Sequence, residues 1–390
     1  MYDTLAMIAL GAFLLSLGYV AVALTCVLRF RRRLAHAMTS RVTAPVTLLK
    51  PLCGLECEMA DNLRSFCRQD YGTYQIVFGV RDADDPAIAV VDALRAEFPE
   101  RDIALVVSDR IIGSNPKVSN LANMMAAAKH DLLIISDSDM RVAPNYISSM
   151  VAPFRAADVG VTTCLYSASA RGGIASELGA MFINDWFFPS SLVAVGFGEL
   201  KFCFGATMAI RRDVLKAIGG FPALADHIAD DYMLGRLANE DGYRIALAPY
   251  IIENIVHEPS LKSLFVHEIR WARTIRSVQP LGYTCSLITE FFALSLLAGL
   301  ALYGAGTSVL LALAPIGAAL ALRWALHHAV WLCQPAGRTY TPWLIPIRDL
   351  FTLAVRVCSY FGSTVTWREQ ILTVRRRNNS RKRLHEAVSS

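Results

Sequence analysis

The sequence predicts an α/β domain with a doubly wound, mostly parallel sheet, flanked at both ends of the chain by apolar helices that meet a membrane. Two observations support this fold class. Short apolar runs alternate with helical periodicities between residues 46 and 218, which is typical of βα units. Long segments with almost no charge occupy the N-terminal and C-terminal parts of the chain.

The composition indicates a membrane protein with a soluble middle. The chain is 54% hydrophobic and only 18% charged, and its mean hydropathy is +0.39. Basic residues lie beside the apolar segments, where positive charge faces the cytoplasm and anionic lipid, so the net charge of +5 does not indicate a nucleic-acid partner. The nine cysteines are scattered, which predicts neither a zinc site nor a disulfide framework.

The N-terminal segment has the length and charge pattern of a membrane anchor. Residues 4–28 carry no charged side chain, and Arg29, Arg31, Arg32 and Arg33 follow at once. A helix needs about 20 residues to cross the hydrocarbon core. Because the charge follows the apolar run, we expect residues 1–33 to form a transmembrane anchor rather than a cleaved signal peptide, with the next domain in the cytoplasm.

The predicted domain covers residues 44–260. Its predicted strands are residues 46–49, 75–80, 103–107, 132–135, 160–165 and 202–210. Its predicted helices are residues 58–69, 88–98, 118–129, 213–218 and 226–240. Residues 184–197 are apolar and aromatic, but they are short and Pro189 interrupts them, so this segment is either core or a surface that meets lipid rather than a full crossing.

Acidic clusters follow two of the predicted strands. Residues 132–135 lead into Asp137-Ser138-Asp139, and residues 75–80 lead into a cluster that includes Asp82 and Asp85. In open α/β sheets, ligands bind at the carboxyl ends of the strands. A carboxylate pair together with substrate phosphates suits Mg²⁺ or Mn²⁺. The pattern favours a metal and phosphate pocket, although a bare Asp-x-Asp also fits a polar turn after a core strand.

Adjacent acids open the last predicted helix of the domain. Asp230 and Asp231 complement a helix dipole at this position, and that interpretation fits Asp230 well. Two carboxylates beside a metal and phosphate pocket also predict that one of them acts as a general base.

The C-terminal part divides into a basic helix, a hairpin and a charged apolar helix. Residues 261–280 are predicted as an interfacial basic helix, and residues 281–322, with Glu290 as their one charge, as a transmembrane hairpin. Residues 343–366 carry Arg348, Asp349 and Arg356, which make a crossing costly. The hairpin returns the chain to the cytoplasm, where the basic tail, residues 367–390, is also expected. A single further crossing would put this tail outside, so residues 343–366 are predicted to be interfacial or re-entrant.

Six motifs occur in the order and spacing of one known family. They are Lys50-Pro51-Leu52-Cys53-Gly54, Asp82-Ala83-Asp84-Asp85-Pro86-Ala87, Gly113-Ser114-Asn115-Pro116-Lys117-Val118-Ser119-Asn120-Leu121, Asp137-Ser138-Asp139, Ala229-Asp230-Asp231-Tyr232 and Arg270-Trp271. With these motifs, over about residues 40–370, the chain resembles inverting glycosyltransferases of the GT-A fold and, more narrowly, the ceramide glucosyltransferase-like family.

The resemblance implies roles for particular residues. Asp85, with Asp82 in the same motif, would lie at the nucleotide, while Asp137 and Asp139 would form the metal-binding pair, with Asp137 also near the donor. Asp231 would be the catalytic base, and Arg270 with Trp271 would end the (Q/R)xxRW motif. His267 occupies the Gln/Arg position of that motif, which weakens the resemblance to polymer-forming synthases.

Two further residues carry open alternatives, and two more are assigned to the acceptor. Lys117 is a candidate phosphate contact or a solvated loop lysine, and His257 is an extra metal ligand or a structural loop histidine. Trp186 and His267, together with Trp271, are candidates for the acceptor site.

The implied enzyme is bound to the membrane and transfers one sugar from a UDP-sugar to a lipid hydroxyl, with Mn²⁺ or Mg²⁺ as cofactor. Segments beginning at Phe202, Ala225 and His267 resemble the bacterial hopanoid-biosynthesis branch. That branch implies UDP-N-acetylglucosamine, bacteriohopanetetrol and the bacterial inner membrane, with the catalytic domain facing the cytoplasm. A ceramide glucosyltransferase that uses UDP-glucose is the alternative, and a non-catalytic binding protein or a transporter are the rivals from other classes.

Overall fold

The structure is a computed structural model that describes residues 2–35, 44–334, 339–362, 364–367 and 370–373. Residues 374–390, which hold most of the predicted basic tail, lie outside the described residues.

An eight-stranded mixed sheet forms the centre of the domain, in the order β3-β2-β1-β4-β7-β6-β8-β5. The strands are β1 (Val46–Pro51), β2 (Tyr74–Val80), β3 (Asp102–Val107), β4 (Leu132–Ser136), β5 (Met140–Arg141), β6 (Val159–Ala170), β7 (Thr207–Arg211) and β8 (Arg244–Val256). Strands β1 to β4 pair in parallel, as do β6 and β8. Strand β7 is antiparallel to β4 and β6, and β5 is antiparallel to β8. The predicted α/β class with a mostly parallel sheet is confirmed.

Helices cover both faces of this sheet. They are α2 (Met59–Cys67), α3 (Ala87–Glu97), α4 (Pro116–Met124), α5 (Tyr146–Val151), α6 (Ile174–Met181), α7 (Phe188–Gly196), α8 (Arg212–Ala217) and α9 (Asp230–Glu240). Strand β1 is buried on both faces because its apolar run is continuous: Leu48 joins one core and its neighbour Leu49 joins the other.

Two predicted elements differ from the structure, and one strand was not predicted. The predicted strand 202–210 is wrong in its first half, because β7 begins at Thr207 and the preceding residues form a loop that includes Gly205. The predicted helix 118–129 begins earlier and ends at Met124; Asn115 caps it by accepting the amide hydrogens of Lys117 and Val118. Strand β8, which was not predicted, is 13 residues long.

The segment around Pro189 forms part of a longer helix than predicted. Helix α6, a π turn over Phe182–Phe187 and α7 follow one another without a break. Pro189 lies in the first turn of α7, directly after the π turn, where a missing amide hydrogen is tolerated. The helical run is longer than predicted, since Ile174–Gly196 has 23 residues and is apolar enough to cross a membrane by length and composition. Because 56% of it is buried, it packs mainly inside the protein.

Among the described residues, three helices are long and apolar enough to cross a membrane: α1 (Tyr2–Ala35), the run Ile174–Gly196 and α13 (Val309–Trp331). A fourth crossing results if α11 (Pro280–Cys285), the 3₁₀ turn Ser286–Thr289 and α12 (Phe291–Gly304) form one span bent by 58°. Helix α13 continues past the predicted end of the hairpin at residue 322. These helices fit a membrane-associated protein.

Further elements are α10 (Leu261–Val278), the 3₁₀ turn Pro342–Leu344, α14 (Ile345–Ser359) and the hairpin β9 (Thr364–Trp367) with β10 (Gln370–Thr373). The charges of α14 are paired inside the protein. Arg348 donates two hydrogen bonds to Glu268 of α10, at 2.7 and 2.6 Å, and Arg356 pairs with Glu290. An interfacial or re-entrant position of residues 343–366 stays a prediction.

Candidate active site

The carboxylate pair predicted from the sequence lies at the end of β4. The side chain of Asp139 is held by β8, where the Asn254 amide nitrogen donates to its Oδ2 at 2.7 Å. Burial raises the pKa of Asp139 to about 7, and the nearby carboxylates of Glu56 and Asp137 contribute to the rise. Asp137 is more open, with 35% of its side chain exposed, so the pair presents a free edge to a ligand.

Two lysines lie against this pair. Lys50, the penultimate residue of β1, is fully buried, and its ammonium donates to the backbone carbonyl of Asp137. Burial lowers the pKa of Lys50 to about 7, although Asp137 and Asp139 oppose the change. Lys117, in the first turn of α4, has its Nζ 2.6 Å from Asp137 Oδ1 and 3.6 Å from Asp230 Oδ2.

The position of Lys117 excludes one of its two predicted roles. Burial alone would lower the pKa of Lys117, but Asp137, Asp230 and Asp231 outweigh it and raise the pKa. Only 16% of the side chain is exposed. The alternative of a solvated loop lysine is therefore wrong, and Lys117 joins the acids after β4 to the acids that open α9.

Asp231 has the environment of a general base. Burial raises the pKa of Asp231 to about 7, and the adjacent Asp230 contributes. The carboxylate lies close to Gly205: a Cβ added to this glycine would be 2.7 Å from Asp231 Oδ2. Burial, followed by the charges of Asp231, Asp137 and Asp139, raises the pKa of Tyr166 on β6. Because the Lys117 ammonium contacts both Asp137 and Asp230, the two predicted acidic groups lie at one site.

The acids after β2 play different parts. Asp85 is buried, and its carboxylate accepts the amide hydrogens of Gly54, at 2.9 and 3.1 Å, and of Ala87, at 2.9 Å. It therefore fixes the loop after β1 against the start of α3. Asp82 is exposed and accepts the amide hydrogen of Asp84 within its own turn. Contact of either residue with a nucleotide stays a prediction.

The predicted acceptor residues form a row of rings joined by Phe182, which the sequence analysis missed. The ring centroids of His267 and Trp271 are 4.2 Å apart, those of Trp271 and Phe182 are 5.5 Å apart, and those of Phe182 and Trp186 are 5.0 Å apart. The Trp186 indole donates to Thr289 Oγ1 at 2.9 Å. His267 Nδ1 lies 2.7 Å from buried Glu258, so this histidine anchors α10 to the loop after β8.

Arg270 precedes Trp271 on α10 and is half-buried. His257, the candidate extra metal ligand, has its Nδ1 2.9 Å from the carbonyl oxygen of Arg171. Across the described residues, no group of three or more His, Cys, Asp or Glu side chains is placed to hold a metal ion. Asp137 and Asp139 fit a site in which donor phosphates complete the coordination, as Mg²⁺ and Mn²⁺ prefer.

Three other residues of the pocket were missed. Lys50 follows an apolar run and belongs to one of the six motifs, so its position at the carboxyl edge of the sheet could have been predicted. Asn254 lies on the strand that was not predicted, and Gly205 lies where a strand was predicted instead of a loop.

The fold is that of glycosyltransferases of the GT-A type. The chain belongs to glycosyl transferase family 21, whose profile matches residues 8–380.

Curated relatives are ceramide glucosyltransferases. Ceramide glucosyltransferase 3 of Caenorhabditis elegans is 22% identical over 284 residues, which are 71% of this chain and 61% of that protein. Ceramide glucosyltransferase 1 of the same organism is 26% identical over 255 residues, which are 64% of this chain and 53% of that protein. This chain therefore spans less than two thirds of the length of these relatives.

A solved structure supports the fold. The mannosyltransferase from Pyrobaculum calidifontis, in complex with GDP-Man and Mn²⁺, has a TM-score of 0.53 and 18% sequence identity. The match covers 93% of this chain and 99% of that one. At this identity the likeness shows the fold alone, and the predicted GT-A fold is confirmed.

Proposed function

We propose that this chain is a membrane-bound inverting glycosyltransferase that transfers one sugar from a UDP-sugar to the hydroxyl of a lipid, with ceramide as the acceptor that its relatives favour. One observation carries the proposal. Asp231, whose pKa is raised to about 7, faces the same pocket as Asp137 and Asp139, with Lys117 between them.

Asp137 and Asp139 would hold a divalent ion together with the donor pyrophosphate. When bound, the ion supplies positive charge against the leaving diphosphate. Lys117 has its ammonium on Asp137 Oδ1, so it is placed to bind a phosphate oxygen that approaches the same edge. Arg270 is the further cation that the family motif assigns to this leaving group.

Asp231 would take the proton from the acceptor hydroxyl as that oxygen attacks the anomeric carbon from the face opposite the diphosphate. Because a single displacement inverts the centre, an α-linked donor gives a β-linked product. A carboxylate with a pKa near neutral suits this task, since it is about half ionised at pH 7, largely ionised at pH 8, and still basic enough to accept a proton.

The membrane helices support a lipid acceptor. The aromatic row of His267, Trp271, Phe182 and Trp186 connects α10 to the run Ile174–Gly196, which is apolar enough to contact lipid. The curated relatives are named for transfer to ceramide, although this chain covers only part of them. We infer that the pocket opens at a membrane face, where a soluble donor meets a lipid hydroxyl, and that this face is cytoplasmic.

A second candidate is transfer of N-acetylglucosamine to bacteriohopanetetrol at a bacterial inner membrane. The segments that begin at Phe202, Ala225 and His267 favour it. The first two segments contribute Gly205 and Asp231, and the third contributes the His267 and Trp271 contact. The names of the curated relatives favour ceramide.

A product assay tests these proposals. Purified full-length protein in detergent, with Mn²⁺ or Mg²⁺, is offered UDP-glucose and UDP-N-acetylglucosamine against ceramide and bacteriohopanetetrol, and lipid products are read by mass. We expect a hexosylceramide. An N-acetylhexosaminyl product of bacteriohopanetetrol would establish the second candidate. Hydrolysis of the UDP-sugar without any lipid product would contradict the assignment of a lipid acceptor.

A further inference from the structure

The ammonium group of Lys117 lies between the two acidic groups of the active site. Its Nζ is 2.6 Å from Asp137 Oδ1 and 3.6 Å from Asp230 Oδ2. Burial lowers the pKa of Lys117, but the carboxylates around it outweigh this effect and raise the pKa, so the ammonium keeps its proton. The predicted metal pair therefore already has a cation on one oxygen of Asp137.

The backbone just before Lys117 is tied to the segment that leads into α9. The backbone amide of Asn115 donates to the carbonyl oxygen of Ala225 at 2.8 Å, and its side-chain amide donates to the carbonyl oxygen of His227 at 2.8 Å. Because the starts of α4 and α9 are held together in this way, Asp230 stays within reach of Lys117. The long side chain of the lysine is the part that can move.

Asp137 is the member of the metal pair that a ligand can reach. Its side chain is 35% exposed, whereas Asp139 accepts a hydrogen bond from Asn254 at 2.7 Å. Lys50 donates to the backbone carbonyl of Asp137 and so anchors this turn. A divalent ion at Asp137 must share the carboxylate with the Lys117 ammonium or displace it, and like charges at such short range repel each other.

A diphosphate changes this balance of charge. Its oxygens bring negative charge to the same edge of the pocket and accept hydrogen bonds from an ammonium group. Lys117 can then leave Asp137 for a phosphate oxygen while the carboxylate takes the ion. Asp230 offers the ammonium a second carboxylate during this exchange. A free ion brings no such acceptor.

We propose that Lys117 makes the pair of Asp137 and Asp139 selective for a divalent ion that arrives with a diphosphate. A free ion competes with the Lys117 ammonium for Asp137, and a diphosphate ends the competition by accepting the ammonium. The proposal rests on the donor site of the proposed function and names the residue that determines the specificity of that site.

Binding of Mn²⁺ to the purified full-length protein in detergent tests this competition. Free Mn²⁺ is measured by electron paramagnetic resonance, first with Mn²⁺ alone and then with UDP. Lys117→Met removes the charge, and Lys117→Gln removes it while keeping a polar end. Lys129→Met is the matched control, because Lys129 is exposed, pairs with Asp102 at 2.7 Å and lies before β4 begins, whereas Asp137 follows its end.

We expect both neutral variants of Lys117 to bind Mn²⁺ alone about fivefold or more tightly than the unchanged protein, because the competing charge is gone. UDP should strengthen Mn²⁺ binding by about tenfold in the unchanged protein and in Lys129→Met, and much less in the neutral variants. Unchanged or weaker binding of Mn²⁺ alone by either folded variant overturns the proposal.

Asp230→Asn tests the second partner of the ammonium. Without this carboxylate Lys117 is held by Asp137 alone, so Mn²⁺ alone should bind about threefold more weakly. In the Lys117→Met background the same substitution should have a smaller effect, because no ammonium remains to be redirected. An equal effect in both backgrounds would show that Asp230 acts on the ion without Lys117 and would overturn the exchange.

These measurements need no lipid acceptor, so they separate this proposal from the proposed function. A protein that shows the expected shifts in Mn²⁺ affinity but forms no glycolipid would lose the proposed reaction and keep the assignment of Lys117. A protein that forms glycolipid, but whose Lys117 variants bind Mn²⁺ like the unchanged protein, would keep the reaction and lose the assignment.

Discussion

The active site and the junction of the membrane helices are both rich in buried charge, but they arrange it differently. At the junction each acid meets its own base: Arg348 meets Glu268, Arg356 meets Glu290, and Arg323 donates to Asp349 at 2.6 and 3.0 Å. In the active site, aspartates crowd together around lysines, and the pKa values of Asp139 and Asp231 are both raised to about 7.

This difference distinguishes charges that hold helices together from charges that can take part in the reaction. A closed ion pair has its charge already neutralised, so it can hold helices together but can offer nothing to a substrate. Neighbouring acids repel one another and remain ready for a cation or a proton, as clusters with shifted pKa values at functional sites do. Each prediction below changes one of the two arrangements.

The largest effect is expected from Asp231→Asn, which removes the proposed base while keeping the shape of the side chain. Transfer should fall by about 10³-fold, within the range that general bases contribute, while donor binding persists. Asp213→Asn is the matched control, because Asp213 lies in the first turn of α8 and is exposed. Turnover of the lipid by Asp231→Asn at the normal rate would remove Asp231 from its role.

Substitutions at the junction of the membrane helices should lower the free energy of unfolding rather than the rate of transfer. Arg348→Met leaves Glu268 buried and unpaired, which costs about 3–5 kcal/mol. The double variant with Glu268→Leu should recover most of that loss, because replacing both partners with apolar groups is often nearly neutral. Thermal unfolding in detergent measures both variants, and a double variant no more stable than Arg348→Met would contradict the framework assignment.

Asp139→Asn tests the metal side of the pocket. The half-saturating concentration of Mn²⁺ should rise by about 100-fold, since a carboxylate ligand is replaced by a weaker amide oxygen. A metal titration of sugar transfer gives the value. An unchanged titration would count against Asp137 and Asp139 as the metal pair.

Gly205→Ala tests whether Asp231 needs its close approach to the β7 loop. The added Cβ would meet Asp231 Oδ2 at 2.7 Å, so the carboxylate must shift. A displacement of about 1 Å at a reacting group costs up to about 100-fold in rate, and we expect a tenfold or larger loss of kcat with normal donor KM. Wild-type kcat in this variant would show that the contact has no part in positioning the base.

The sequence predicted the parallel half of the sheet because β1, β2 and β4 are continuous apolar runs with turn signals behind them. It missed β8, whose buried positions alternate with half-exposed ones and whose course includes Pro249. It placed Asp137, Asp139 and Asp231 through motifs, and the structure brings them to one pocket. The burial of Lys117 could not be predicted, because it depends on Asp230, more than 100 residues away.

The pH dependence of transfer is the most direct test of the claim that the cluster of acids is the catalytic site. It is measured as kcat/KM for the lipid at saturating metal, so that Asp139 stays ionised. Because burial and Asp230 raise the pKa of Asp231 to about 7, the base is protonated below that pH and active above it. We predict a rise of about tenfold per pH unit below 7, followed by a plateau. A profile that is flat between pH 5.5 and 8 would contradict the account.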